Sequence, residues 1–253
     1  MASTRRRGVS ALSVATVSTG VRRPYVDIAV VIGVLVCTNL IAHFTTWWAS
    51  LVAVPIAAAA LVVLTRKRGL GWAELGLARA HLKTGAWYAL GAVVVVACVV
   101  AIGAALPITR PMFLADRYAT VSGALIASMI VIPLQTAIPE ELAFRGVLQG
   151  TLSRVYSFRG VAAAGSLMFG LWHIASSLGL TANNHGLSAL LGGGVAGQVA
   201  GIGCAVAATA AAGFVFTWLR RRSGSLLAPI ALHWSVNGIG ALAAAAVWQT
   251  SMG

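Results

Sequence analysis

Residues 138–146 read Ile-Pro-Glu-Glu-Leu-Ala-Phe-Arg-Gly and place two adjacent glutamates inside one of the most apolar stretches of the chain. The 253-residue protein has only five acidic residues, so this pair is a large share of its negative charge. A carboxylate at membrane depth is costly unless it is paired or faces a wet cavity. Glu140 and Glu141 therefore mark the segment in which we expect the chemistry of this protein.

The composition is that of a protein embedded in a membrane. Hydrophobic residues make up 59% of the chain and charged residues only 9%, whereas soluble domains carry about 25% charged residues. The predicted fold class is all-α, a polytopic bundle of transmembrane helices. The net charge of +13 comes from short basic clusters between apolar runs, which is the pattern that membrane topology requires. We therefore expect a lipid bilayer around the protein and no nucleic-acid partner.

Seven apolar runs are long enough to cross a bilayer, for which about 20 residues are needed. We expect the fourth run to form a broken or tilted helix, because Pro133 and Pro139 each remove a helix hydrogen bond. An eighth span between His185 and Arg220 is disfavoured, because it would disturb the alternation of basic-rich and basic-poor segments between the two sides of the membrane. The seven runs lie near residues 26–44, 47–65, 84–106, 120–149, 160–180, 194–219 and 226–248.

The positions of lysine and arginine predict the orientation. With the N-terminus in the cytoplasm, fifteen of the eighteen basic residues fall in cytoplasmic segments, which is the bias that orients membrane proteins. We divide the chain into a flexible basic cytoplasmic arm over 1–25, N-terminal transmembrane helices over 26–119 and catalytic transmembrane helices over 120–253.

Three ionisable side chains in the later runs share one depth. Glu140, His173 and His233 each lie 11 to 14 residues from an arginine that we expect at the cytoplasmic face. At about 1.5 Å per helical residue, these separations are roughly 16–21 Å. Unrelated packing does not readily explain this agreement, so we predict that three helices bring these groups to one site.

Helical spacing separates the roles of the two glutamates. Glu141 and Arg145 are four residues apart and can form an ion pair, which leaves Glu140 free to face a cavity. The alternative is that both glutamates only stabilise the bundle. Trp172 and Trp234 stand next to the two histidines in sequence and are expected to be cavity walls.

Two further pairs at helical spacing carry the remaining chemistry. Phe169 precedes His173 by four residues, and His233 precedes Asn237 by four. Glu140 could take a proton from water with the help of a neutral histidine. The amide of Asn237 could donate to a developing oxyanion.

A metal ion is an open alternative for this site. Catalytic zinc typically has three protein ligands and an open position, and His173, His233 and Glu140 would meet that count. Glu140 would then be a ligand rather than a base, and the chain has no HExxH motif. The residues therefore allow either one divalent metal such as zinc or none.

Together, these pairs resemble the three ordered motifs of the CPBP family, the CAAX proteases and bacteriocin-processing enzymes that are also called the Abi family. This family includes the type II CAAX prenyl endopeptidase. The similarity covers residues 120–238, and residues 72–77 resemble a cytoplasmic stretch often seen in the family. One departure is an Ala/Gly-rich segment, 181–210, which affects the shape of the substrate entrance. The motifs are Glu140-Glu141-x-x-x-Arg145, Phe169-x-x-x-His173 and His233-x-x-x-Asn237.

The resemblance implies an enzyme that hydrolyses peptide bonds inside the membrane. Glu140 would activate the water with the assistance of His173, and His233 with Asn237 would stabilise the oxyanion. Family members are usually described as metalloproteases, and a metal-free glutamate mechanism has also been proposed for them. The supporting residues would be Glu141, Arg145 and Phe169.

The leading prediction is an intramembrane endopeptidase that acts on a membrane-embedded peptide or a lipid-modified protein. The Ala- and Arg-rich, Lys-poor composition is typical of a high-GC bacterium, so we expect a bacterial inner (plasma) membrane and a bacterial membrane substrate. One alternative is a non-enzymatic immunity or scaffold protein of the same fold, which the presence of Glu140 and His173 disfavours. The other is a small proton-coupled transporter, which the lack of internal repeats disfavours.

Overall fold

Eight helices make up most of the chain in this computed structural model, which describes the backbone of residues 10–252 and the side chains of residues 23–251. The described backbone has no β-structure beyond one bridge between Ala115 and Asn184. The predicted all-α class is confirmed. The helices are α1 (Ser10–Phe44), α2 (Trp47–Lys67), α3 (Leu82–Ala105), α4 (Val121–Leu152), α5 (Phe158–Ser176), α6 (His185–Leu191), α7 (Gly194–Ser223) and α8 (Leu227–Ser251).

Six of these helices are long and apolar enough to cross a membrane, namely α1 from Arg23 onward, α2, α3, α4, α7 and α8. The protein is thus a multi-pass membrane bundle, as predicted. The predicted fifth span is α5, a helix of 19 residues. Arg159 and His173 make α5 less apolar than the other six, so the seven predicted spans correspond to six strongly apolar helices and α5.

Residues 1–9 of the predicted N-terminal arm, 1–25, lie outside the described residues, and the backbone of residues 10–25 is part of α1. The described backbone begins at Ser10 with the start of α1, and Arg23 alone among the arm's five arginines has a described side chain. The flexibility of the arm, its cytoplasmic location and the division of the remaining chain at residue 120 stay predictions.

Helix α4 carries the two glutamates and runs through both of its prolines without a break. Its turns widen instead, because the π-helical segments Ala127–Ala137 and Leu142–Leu148 flank a short α-helical segment, Ile138–Glu141. A π turn bonds an N–H group to the carbonyl five residues back, as Ile138 does with Pro133. Proline has no N–H to donate, so the carbonyl one turn before each proline loses its α-helical hydrogen bond. The wider π-helical pattern lets such carbonyls accept from other N–H groups.

Helices α5 and α7 pack closely because small residues stand between their backbones. A side chain at Gly170 would meet the carbonyl oxygen of Val206 at 2.7 Å, and one at Gly213 would meet the Cα atom of Ser166 at 3.1 Å. Small residues permit such close approach of membrane helices. This contact sets the face of α5 that carries Phe169 against α7.

The Ala/Gly-rich segment 181–210 forms helix α6 and the first turns of α7. Helix α6 begins against the connection between α3 and α4. There the backbone N–H of His185 donates to the carbonyl of Leu114 at 3.3 Å, and the side-chain amide of Asn184 donates to the carbonyl of Met112 at 3.0 Å. The segment therefore covers the end of the bundle at which α4 begins.

The connection between α2 and α3, residues 68–78, closes the opposite end of the bundle and is called the closing loop below. Leu75 in this loop is completely buried. Arg220 of α7 donates from Nη2 to the carbonyls of two loop residues at 3.0 and 2.9 Å. Glu74 accepts a hydrogen bond from Nε of Arg154 at 2.8 Å. The loop is thereby tied to the ends of α4 and α7.

Gly76→Ala should destabilise the protein more than Gly69→Ala. Both glycines have left-handed φ angles, +76° and +92°, and an L side chain in this region costs about 1–2 kcal/mol. A Cβ atom at Gly69 would meet nothing within 4 Å, whereas one at Gly76 would lie 2.2 Å from Nε of Arg220 and would displace its hydrogen bonds to the loop. Thermal unfolding in detergent measures the difference. Equal unfolding temperatures would mean that Arg220 moves aside freely.

Acidification should weaken the contact between the closing loop and α4. The hydrogen bond from Arg154 holds the pKa of Glu74 below its usual range. A carboxylate with a depressed pKa in the folded state contributes stability above its unfolded pKa, and this contribution is lost as the pH falls through the folded pKa. Between about pH 5 and pH 3, the wild type should therefore lose more thermal stability than Glu74→Gln. Parallel curves across this window would rule out a contribution from the pair.

Candidate active site

Glu141 stands at the centre of the candidate site. Its carboxylate is fully buried, and one oxygen, Oε1, accepts hydrogen bonds from Nη1 of Arg145 at 3.0 Å and from Nδ1 of His233 at 2.8 Å. The predicted ion pair between Glu141 and Arg145 is therefore present. His233, from α8, was expected at this depth but not as a partner of Glu141. Two donors from two helices thus share a single carboxylate oxygen.

Three phenylalanine rings enclose the guanidinium group of Arg145. Its Cζ atom lies 3.9 Å from the ring centre of Phe169, 4.6 Å from that of Phe216 and 5.8 Å from that of Phe144. Its Nη2 donates to the carbonyl oxygen of Gly213 at 3.4 Å. Cation–π contacts gain strength where water is excluded. The rings therefore help to stabilise a cation that is cut off from water.

Two members of this enclosure, Gly213 and Phe216, were not predicted from the sequence. Both lie on α7, a helix to which no site residue had been assigned. A signal is nevertheless present, because Gly213, Phe216 and Arg220 are spaced by three and four residues and share one helix face. A glycine, an aromatic residue and a cation on one face of an apolar helix would have indicated that this face meets a polar site.

His173 has one ring nitrogen engaged and the other available. Its Nδ1 lies 2.8 Å from the carbonyl oxygen of Phe169, and because a carbonyl can only accept, Nδ1 carries the proton. In the neutral ring, Nε2 then keeps a lone pair that can accept a hydrogen bond or a proton. The imidazole is half-buried, with its centre 4.7 Å from that of the Phe169 ring. This is the protonation pattern that a general base requires.

The imidazole of His233 is held in one orientation by Glu141 and two rings. Because the carboxylate accepts, Nδ1 of His233 carries a proton, and Nε2 can donate only when the ring is an imidazolium. Phe216 stacks on the imidazole with 5.4 Å between ring centres and 19° between planes. Phe169 meets it edge-on at 6.0 Å. The Phe169 ring therefore contacts both histidines of the site.

Glu140 is buried beside this network without joining its hydrogen bonds. Its side chain is only 7% exposed, and its Oε2 has no hydrogen-bond partner among the described residues. The charges of both Glu140 and Glu141 act on Arg145. A buried carboxylate oxygen without a donor is uncommon and needs a partner from outside the chain, such as water or a substrate.

Asn237 lies one turn beyond His233, in the π-helical segment Ser235–Ile239 of α8. It is half-buried and, like Glu140, takes no part in the hydrogen bonds around Glu141. Both helices that supply polar groups to the centre of the site therefore have widened turns there, and such turns are frequent at functional sites. The predicted site residues that hydrogen bonds and ring contacts bring together are Glu141, Arg145, Phe169, His173 and His233.

The described side chains do not assemble the ligand set that was considered for zinc. Within residues 23–251, no three histidine, cysteine, aspartate or glutamate side chains form a group that could hold a metal ion. His173, His233 and Glu140 therefore do not form a three-ligand cluster.

An apolar groove of about 420 Å³ lies between α1, α4 and α5, next to the aromatic residues of the site. Phe144 and Trp172 line it, with 5.4 Å between their ring centres, and Phe144 also contacts the Phe169 ring at 5.1 Å. Trp172 is thus a cavity wall, as predicted. Trp234 lines a separate groove beside α3 and donates from Nε1 to the carbonyl of Ser128 at 2.9 Å.

Glu141→Gln should cost far more stability than Glu140→Gln, although the two residues are neighbours. Removing the charge of Glu141 leaves Arg145 buried without its hydrogen-bonded counter-charge, which costs about 3–5 kcal/mol. Glu140→Gln alters a carboxylate whose Oε2 has no partner, so this variant should unfold close to the wild-type temperature. Unfolding of both variants in the same detergent makes the comparison. Equal losses would mean that Glu140 balances Arg145 as strongly as Glu141 does.

The region that contains the site matches a family of membrane proteases. Residues 122–239 match the family model described as type II CAAX prenyl endopeptidase Rce1-like. This match extends from α4 into α8 and includes every site residue predicted from the sequence. No curated protein and no solved structure matches the chain. This match over residues 122–239 agrees with the resemblance to the CPBP family that the three motifs predicted.

Proposed function

We propose that this protein is an intramembrane endopeptidase that hydrolyses a peptide bond with water activated by Glu140 and His173. The observation that carries this proposal is the buried carboxylate of Glu140, whose Oε2 has no partner among the described residues. Oε2 of Glu141 is also without a partner, but Oε1 of Glu141 is already bound by Arg145 and His233. A general base must keep a lone pair available for the proton that it removes. The family match supports the reaction class.

In the proposed reaction, Glu140 removes a proton from water while the water oxygen attacks the carbonyl carbon of the scissile bond. Nε2 of His173 accepts a hydrogen bond from the same water and orients it. The proton held by Glu140 then passes to the leaving nitrogen as the C–N bond breaks, so the enzyme returns to its starting protonation state. A positioned base of this kind contributes about 10²–10⁴-fold to the rate.

We assign His233 and Asn237 to the negative charge that develops on the carbonyl oxygen. Such charge is stabilised best by donors that are oriented before the reaction begins. Asn237 offers its amide N–H, and His233 offers Nε2–H when it is an imidazolium, a form that Glu141 stabilises through Nδ1. Arg145 and Phe169 would act as supporting residues that hold Glu141 and the imidazole in place.

We propose a membrane-embedded peptide or a lipid-modified protein as the substrate. A site buried among apolar helices is reached most directly by a segment that already lies in the bilayer. The apolar groove beside Phe144 and Trp172 supports the approach of such a segment from the lipid. The composition favours a bacterial inner (plasma) membrane as the location.

Glu140→Gln should abolish the proteolysis that the wild type carries out. The swap keeps the size of the side chain and removes the group that takes the proton. The measurement compares the termini of membrane proteins from cells that make wild type, Glu140→Gln or no protein, with the first two at equal abundance. Termini that appear with the wild type alone would establish cleavage and identify the substrate.

Asp116→Asn serves as the matched control, because it removes a carboxylate that is exposed at the far end of the bundle. It should produce the same new termini as the wild type. New termini that persist with Glu140→Gln would show that this residue is not the base. Identical profiles in all cells, with folded protein present, would instead favour a non-enzymatic immunity or scaffold protein.

A further inference from the structure

A polar pocket of about 470 Å³ lies at the end of the bundle that the closing loop covers. It is bounded by the C-terminal ends of α4 and α7, the connection to α5 with its first residue, and the loop itself. The reaction proposed above makes no use of it. Its charged lining residues are Glu74, Arg154, Arg220 and Arg221.

The charges in this pocket do not balance. Arg154 pairs with Glu74, with 2.8 Å between Nε and Oε1. Arg220 donates to backbone carbonyls, and neither it nor Arg221 forms an ion pair in the described part of the chain. The guanidinium of Arg221 is held over the ring of Phe158, 4.2 Å from its centre. Two positive charges are therefore available to an anion in the pocket.

One lining residue, Gln149, has a polar atom that an anion alone would not satisfy. Oε1 of Gln149 is buried and has no hydrogen-bond donor among the described residues. An amide oxygen only accepts, so its partner must carry a donor such as a hydroxyl group. Ser153 and Tyr156 add hydroxyl groups to the lining. The pocket thus suits a ligand with both anionic oxygens and hydroxyl groups.

The position of the pocket indicates which molecule supplies these groups. Helices α4 and α7 end beside it at Leu152 and Ser223, so the pocket lies where apolar spans give way to the membrane surface. Phospholipid headgroups occupy this layer, and basic pockets between helix ends on the cytoplasmic side bind them. A lipid headgroup therefore reaches the pocket without leaving the bilayer.

We propose that this pocket binds the phosphodiester headgroup of an anionic phospholipid with free hydroxyl groups, the chemistry that phosphatidylglycerol provides. Arg220 and Arg221 bind the phosphate oxygens, and Gln149 accepts a hydrogen bond from a headgroup hydroxyl. Because Arg220 also holds the closing loop, the bound lipid becomes part of the contact between the loop and α7. The proposal is independent of the proteolytic function.

Native mass spectrometry of the full chain in detergent tests this site, with phosphatidylglycerol and phosphatidylcholine of the same acyl chains as probes. The wild type should bind one phosphatidylglycerol saturably and bind phosphatidylcholine more weakly. Arg221→Gln should weaken phosphatidylglycerol binding about fivefold, which is the contribution expected of one arginine near a membrane surface. Arg221→Lys keeps the charge and should retain most of the binding.

Arg222→Gln provides the matched control, because it removes the same charge one residue further along. Arg222 is not among the residues that line the pocket, and its guanidinium lies 5.8 Å from the ring centre of Trp218. This variant should bind phosphatidylglycerol like the wild type, and thermal unfolding should show all variants to be folded. The proposal would be overturned if Arg221→Gln and Arg222→Gln lost phosphatidylglycerol binding equally. It would also be overturned if the wild type bound phosphatidylglycerol and phosphatidylcholine equally. Displacement of the lipid by millimolar inorganic phosphate, which then binds alone, would identify free phosphate as the ligand and overturn the lipid assignment.

Discussion

A buried positive charge is the constraint on which this structure depends. Arg145 is only 2% exposed inside an apolar bundle, where a cation is stable only with a counter-charge and further polar or aromatic contacts. Glu141 supplies the counter-charge, and Phe169 and Phe216 supply ring faces from α5 and α7. Because His233 binds the same carboxylate oxygen, α8 is drawn to this point as well. Neutralising one guanidinium thus brings four helices together.

Helix α7 links this centre to the end of the bundle. The face that presents Gly213 and Phe216 to Arg145 continues one turn later to Arg220, which holds the closing loop. A shift of α7 along its axis would therefore disturb the aromatic enclosure and the loop together. The close approach of α5 at these glycines opposes such a shift, since there is no room between the helices for even a Cβ atom at Gly170.

Spacing along single helices was sufficient to predict part of the site. The pair of Glu141 with Arg145 follows from its four-residue interval, and counting from the basic clusters placed His173 and His233 at one depth. The helix bounds also followed, because a fixed apolar length is needed to cross a bilayer. The bond from His233 to Glu141 and the position of Phe216 depend on which helices become neighbours, and no local pattern specifies that. The widened turns of α4 were missed for the same reason, because proline predicts a lost hydrogen bond but not its replacement.

These widened turns have a consequence for changes in chain length. Each residue of an α-helix turns about 100°, so one deletion or insertion normally rotates every later side chain by that angle. A π turn holds one residue more than an α turn, so losing a residue there restores the α form and leaves the later faces in register. Such segments lie on both sides of Glu140 and Glu141. Helix α4 can therefore lose a residue on either side of its glutamates while both keep their direction, and its length can change in evolution without loss of the site.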